Sequence, residues 1–231
     1  MSANELIQRR AAMMQSRSGS IDWENIAKGM IDKTVAFSIP STVEVDPPTY
    51  GFYERPLLSG TIAIKTGLTE VAHDTFYGCT SLTEVILPST ITKINNNAFQ
   101  RCTSLVTINL PDGITLIGNN AFSNCPSLQL TTMPSSLTQI NSYALQKCIS
   151  LTTLTFKSNL TTIQGSCIVG CSSLTELIFE SVSPPSYGAN AISNNTNLSA
   201  IYVPDASVSA YQAASGWSTH ASLIKPISQR P

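Results

Sequence analysis

From residue 71 to residue 185, apolar side chains return in fixed columns 23 positions apart. One column runs Leu82, Leu105, Leu128, Leu151, Leu174, and a second runs Leu87, Leu110, Met133, Phe156, Phe179. A third runs Ile91, Ile114, Leu137, Leu160 and lapses at Ser183; a fourth opens each unit with Val71, Ile94, Ile117, Ile140, Ile163. Alternation such as Val85-x-Leu87 and Ile108-x-Leu110 predicts a short strand with one buried face. Prolines 88, 111 and 134 follow directly, where they end the strand. A small-plus-bulky pair (Thr75-Phe76, Ala98-Phe99, Ala121-Phe122, Ala144-Leu145, Cys167-Ile168) precedes a cysteine in every unit and predicts a helical or 3₁₀ turn opposite the strand.

A fixed period of this length marks a repeat solenoid, because one such unit cannot bury its apolar face alone. Five full units fill 71–185, and a sixth, offset by 24, passes through Ala191, Ile192, Leu198, Ile201, Val203 and Pro204. Upstream, Ile62, Ile64 and Leu68 supply half a coil and "FSIPSTV" (37–43) another. The expected organisation is an N-terminal helical segment (1–36), a solenoid (37–204) and a C-terminal helical cap (205–231). In the cap, Asp205 is the expected N-cap of a helix that turns Val208, Tyr211 and Ala214 to the last coil, with Gly216 ending it and Trp217 packed nearby.

The recurring AF-x-x-C-x-S-L-x-x-I-x-L-P-x-x-I-x-x-I resembles the BspA-like bacterial leucine-rich repeats, over roughly residues 59–204. The ending "IYVPDASVSAYQAASGWSTHASLIKPI" is similar to the C-terminal cap of such proteins. The resemblance implies a right-handed solenoid with one parallel strand per repeat and a non-catalytic recognition role, often adhesion. The asparagine ladder that follows the strand in the common leucine-rich repeat is missing, and the fifth unit degenerates after Glu180.

Charged residues are only 12% of the chain, about half the usual share. With a net charge of −1 there is no electrostatic footprint for nucleic acid or an anionic membrane. Ser, Thr and Asn cover the surface instead. They suit glycans or neutral protein surfaces, and equally suit the turns of a tightly wound solenoid. No apolar run reaches the roughly 18 residues of a membrane helix. The first twenty residues lack the apolar core of a secretory signal, so the expectation is surface display by a non-standard route or a place in a virion, with the cytoplasm left open.

The cysteines at 79, 102, 125, 148 and 171 share the period. Equivalent Cα atoms in stacked coils lie about 4.8 Å apart, within disulfide range, but their Cβ vectors run parallel. Buried, reduced thiols are expected, with Cys167 as the sixth in the alanine column. Zinc needs clustered ligands, and only Cys167 and Cys171 are close in sequence. The only histidines, His73 and His220, stand near opposite ends, so no catalytic set assembles. Glu84 and Glu176 share a column four coils apart, roughly 19 Å, too far for acid–base partnership. No catalytic residue, cofactor or metal is expected. Asn159, Asn194 and Asn197 match a glycosylation sequon, as chance dictates in a chain this rich in Thr and Ser.

Between the buried columns, outward positions stack into a ribbon: Glu84/Ile86, Thr107/Asn109, Leu130/Thr132, Thr153/Thr155, Glu176/Ile178 and Ala200/Tyr202. In the third unit Thr131 falls in a buried column while Leu130 points outward, so a local irregularity is expected there. The ribbon is the candidate surface for a protein or glycan partner. Residues 3–14, with Leu6, Ile7, Met13 and Met14 at helical spacing, and a second helix near 20–29 form either an N-terminal cap or an attachment segment. Two functions follow. One is a recognition or adhesion module; the other is a structural part of a bacteriophage virion or similar assembly, anchored through the N-terminal segment.

Overall fold

The computed structural model describes residues 37–38, 44–45 and 52–231. The attachment candidates Leu6, Ile7, Met13 and Met14 and both N-terminal helices lie outside them. The chain is a parallel-strand solenoid. On one face the strands are β1 (Phe37–Ser38), β2 (Glu44–Val45), β3 (Leu58–Ile64), β5 (Leu82–Ile86) and β7 (Thr107–Ile108). That face resumes with β10 (Thr153–Phe156), β12 (Glu176–Phe179), β14 (Ala200–Val203) and β15 (Ile224–Pro226). A second face carries β4 (Glu70–Val71), β6 (Lys93–Ile94), β8 (Leu116–Ile117), β9 (Gln139–Ile140), β11 (Thr162–Ile163) and β13 (Ser186–Tyr187) in one unbroken 6-stranded sheet. Each coil therefore contributes two strands rather than one. The Val71–Ile163 column, read above as the start of each unit, is the buried row of the second sheet.

The turn around the small-plus-bulky pair is neither α-helical nor 3₁₀. Left-handed residues bracket it in every coil: Asp74 and Gly78, Asn97 and Arg101, Asn120 and Asn124, Tyr143 and Lys147, Ser166 and Gly170. Such residues break a helix. Its amides bond to the next coil instead: Phe76 N–H to Ala98 O, Phe99 to Ala121 and Phe122 to Ala144, each at 2.8 Å. Three walls of backbone hydrogen bonds thus bind the coils.

Inside, phenyl rings stack. Phe52, Phe76, Phe99 and Phe122 lie 5.1–5.3 Å apart with planes within 10°. The column then passes to Leu145 and Ile168, and the stack reappears in the strand column as Phe156–Phe179, 5.0 Å apart. Every full unit places one phenyl ring and one aliphatic side chain in these two columns, which keeps core volume per coil nearly constant. The C-terminal segment folds as a 3₁₀ turn (Asp205–Ser207), α1 (Val208–Ala213), a 3₁₀ helix (Trp217–Leu223), β15 and a last 3₁₀ turn (Ile227–Gln229). Trp217 sets its edge on Phe179 at 4.9 Å and donates Nε1–H to Pro185 O; Tyr211 OH donates to Ser181 O. Asp205 does not cap α1. Pro204 precedes the turn, and Asp205 Oδ1 accepts the Ser228 N–H at 3.1 Å.

All six cysteines are free and buried. They are more than small hydrophobes: Cys79, Cys102, Cys125, Cys148 and Cys171 each donate S–H to a carbonyl of the preceding coil at 3.0–3.1 Å. In the last coil Asn195 stands in this column and donates Nδ2–H to Ile168 O at 2.8 Å while accepting the Cys171 N–H. The column selects a donor, and thiol and amide both satisfy it.

The third unit departs from the pattern in the opposite sense to the register read from its columns. Leu130 turns inward (7% exposed) and Thr131 turns out. Burying a threonine hydroxyl without a partner costs about 1–3 kcal/mol, and burying leucine gains about 2 kcal/mol. Together these outweigh one or two backbone bonds at about 1 kcal/mol each. The strand is lost, only a Thr132–Thr155 bridge remains, and the first sheet splits there.

Two outcomes follow. Exchanging these side chains (Leu130→Thr with Thr131→Leu) is expected to restore the strand and raise Tm by about 2–4 °C; amide exchange at 131 and 132 that stays fast would refute it. Burial pushes Cys79 and Cys125 up to about 12 and Cys102, Cys148 and Cys167 well above the ordinary 9.0. Above pH 9 the unfolded thiols ionise while the folded ones keep their protons. The unfolded state then binds fewer protons, and stability falls with rising pH through the folded-state pKa. Urea titrations should lose up to about 1.4 kcal/mol per thiol per pH unit there, with a smaller slope in Cys125→Ser.

Candidate functional site

The outer positions of the first face form two rows set by strand register. One row pairs Thr61, Glu84 and Thr107, then Thr153, Glu176 and Ala200. The other pairs Ala63 with Ile86, and Thr155 with Ile178, Tyr202 and Lys225. Alternation along each strand puts these side chains opposite the core. Ile86 is 42% exposed at the end of β5.

The ribbon is shorter than its sequence columns. Ile178 and Tyr202 are 3% and 5% exposed and form a small buried cluster with Ala200 on the outer face. The chain's own tail lies over this end: Arg230 Nε reaches Glu176 Oε2 at 3.0 Å, and the strand order β12–β14–β15 makes the tail cross β14 to get there. Asn109 is exposed, but its amide is committed. Oδ1 accepts the Leu87 N–H at 2.6 Å and Nδ2 donates to Leu87 O at 2.9 Å, replacing the strand pairing that ends with β7. Glu84 Oε2 accepts from Thr61 Oγ1 at 2.6 Å.

Hydroxyl groups separate this face from the other. On the second face Thr92, Thr115, Thr138 and Thr161 each donate to a threonine carbonyl of the preceding coil at 3.0–3.3 Å. Those hydroxyls are part of the scaffold. Among the described residues, the hydroxyls of Thr107, Thr132, Thr153 and Thr155 make no hydrogen bond to the protein. They line the open ribbon and are left to solvent or a partner.

Catalytic chemistry finds no constellation among the described residues. No group of three or more His, Cys, Asp or Glu side chains could hold a metal ion. His73 is exposed near one end, and His220 sits 2.8 Å from Tyr187 OH at the other. Burial holds His220 below the ordinary histidine value. No helix among the described residues is long and apolar enough to cross a membrane.

The pattern of the BspA type leucine-rich repeat region matches residues 48–175 in 6 copies, more than half the chain. The protein belongs to the BspA type leucine-rich-repeat family, and its fold and repeat define an interaction scaffold of the kind found in bacterial surface proteins. Among solved structures, a T. pallidum leucine-rich repeat protein is similar at 29% identity with a TM-score of 0.56, covering 63% of this chain and 70% of that one. The pneumococcal vaccine antigen PcpA shares the fold at 18% identity and a TM-score of 0.60, covering 75% of this chain and 42% of the antigen. Among curated proteins, none matches significantly.

Sequence reasoning missed Arg230, Thr61 and Asn195. Arg230 belongs to no column. Asn195 was legible, because it stands 24 residues after Cys171, the offset of its own unit. Replacing Asn109 by alanine leaves the Leu87 amide and carbonyl unpaired and is expected to cost about 1–3 kcal/mol. Thr107→Ala should change stability by less than about 0.5 kcal/mol. Equal melting shifts for the two would contradict this division of roles.

Proposed function

We propose that the protein is a non-catalytic recognition or adhesion module, displayed at a bacterial surface, whose open strand face takes a protein or glycan partner. The face consists of Glu84, Ile86, Thr107, Thr132, Thr153 and Thr155. One observation carries the reading. The threonines of the second face bond the coils together, whereas those of this face have no internal partner and surround an exposed isoleucine. Free hydroxyls beside an apolar side chain on a rigid parallel sheet supply hydrogen bonds and desolvation together, the combination found at binding surfaces. The face is short of charge, which suits a partner of neutral or polar chemistry. The family resemblance supports the same role.

The test compares two sets of substitutions on arrays of extracellular proteins and glycans. Ile86→Glu, Thr107→Arg and Thr153→Arg together should weaken specific binding by about tenfold or more. Lys93→Glu, Gln139→Arg and Thr162→Arg, on the second face, should leave it intact. Equal loss in both sets, or loss only in the second, would overturn the assignment.

A further inference from the structure

The outer face carries one side-chain pair twice. Thr83-Glu84-Val85-Ile86 in the first unit and Thr175-Glu176-Leu177-Ile178 in the fifth stand 92 residues apart, four whole coils. They project Glu and Ile from the same positions of β5 and β12. At the fifth unit the chain fills the pair itself. The Arg230 guanidinium lies 3.0 Å from Glu176, Ile178 is buried with Tyr202, and Ser228 N–H ties the tail to Asp205. At the first unit the same pair is bare. Ile86 is 42% exposed, and among the described residues no Lys or Arg pairs with Glu84, whose one carboxylate oxygen accepts from Thr61.

We propose that Glu84 and Ile86 form a docking site for an arginine-bearing peptide segment of a partner protein, seated as the tail is seated on Glu176 and Ile178. The inference rests on reading the strand face as the interaction surface and names the partner's chemistry. A planar guanidinium meets a carboxylate with two parallel donors, and its carbon stem covers neighbouring apolar surface. Lysine offers neither the fork nor the stacking. Ile178 has Tyr202 beside it, and Ile86 has Asn109 in that row. The apolar cover that Tyr202 gives within the chain must therefore come from the partner, next to its arginine.

The tail supplies the probe. A peptide of residues 223–231, titrated into the intact chain at low salt and followed by amide chemical shifts, should perturb Thr61, Glu84, Ile86 and Thr107. Glu84→Gln or Ile86→Ser in the protein, and Arg230→Ala in the peptide, should each weaken binding about tenfold. Lys147→Glu, on the turn side, should not. Shifts confined to other surfaces, equal binding by Glu84→Gln, or no shifts at millimolar peptide would overturn the proposal. If the peptide fails while the strand-face substitutions still abolish binding on the arrays, the surface stands and the arginine chemistry falls. If those substitutions change nothing on the arrays, the surface itself is wrong.

Discussion

Backbone hydrogen bonding between successive coils is the constraint on which this molecule depends. Each coil rests on its predecessor at about 4.8 Å, so every residue is stacked on its own counterpart. Phenyl stacks on phenyl and threonine on threonine, and the cysteine of one coil reaches the carbonyl of the last. Like charges at that spacing repel, and a column of lysines or glutamates would work against the stack. The scarcity of charge is thus a structural consequence of stacking before it says anything about a partner. Hydroxyl side chains suit the surface because they donate to a carbonyl below and still accept from above.

What was legible in the sequence is what repeats through burial. The Leu, Ile, Phe and Cys columns placed the core without error in most coils, because apolar burial dominates local choice. The second sheet was harder. Its strands are two residues long and show no alternation, so Val71 and Ile94 read as unit starts rather than as a sheet row. The left-handed turn was also hidden, since Tyr143, Lys147 and Ser166 occupy positions where glycine or asparagine would have announced it. At Leu130 and Thr131 two rules competed, strand alternation and apolar burial, and the period alone could not rank them. The final strand was legible but unread: Ile224 follows Ile201 by 23 residues.

The candidate site was located by register and then trimmed by the tail. Columns state which side chains point outward; they do not state what folds back over them. Arg230 meets Glu176 across 54 residues of sequence, and a contact of that kind has no local signature. Asn109 shows a related limit. It is exposed, polar and on the ribbon, yet its amide closes the sheet where β7 stops. The surface that remains is defined by groups the scaffold leaves without a task.

The transfer of the phenyl stack from one column to the other between Phe122 and Phe156 gives the coils an address. Solenoids lengthen and shorten by gaining or losing whole units, and identical units are interchangeable. Here the first three full units carry their ring at the turn and the next two carry it in the strand. A duplicated unit continues a stack only within its own half. A copy placed in the other half would leave a ring without a neighbour in one column and set two aliphatic side chains together in the other. The lineage of this chain can therefore change its reach at either side of the junction while the junction itself stays fixed, as a keystone does in an arch.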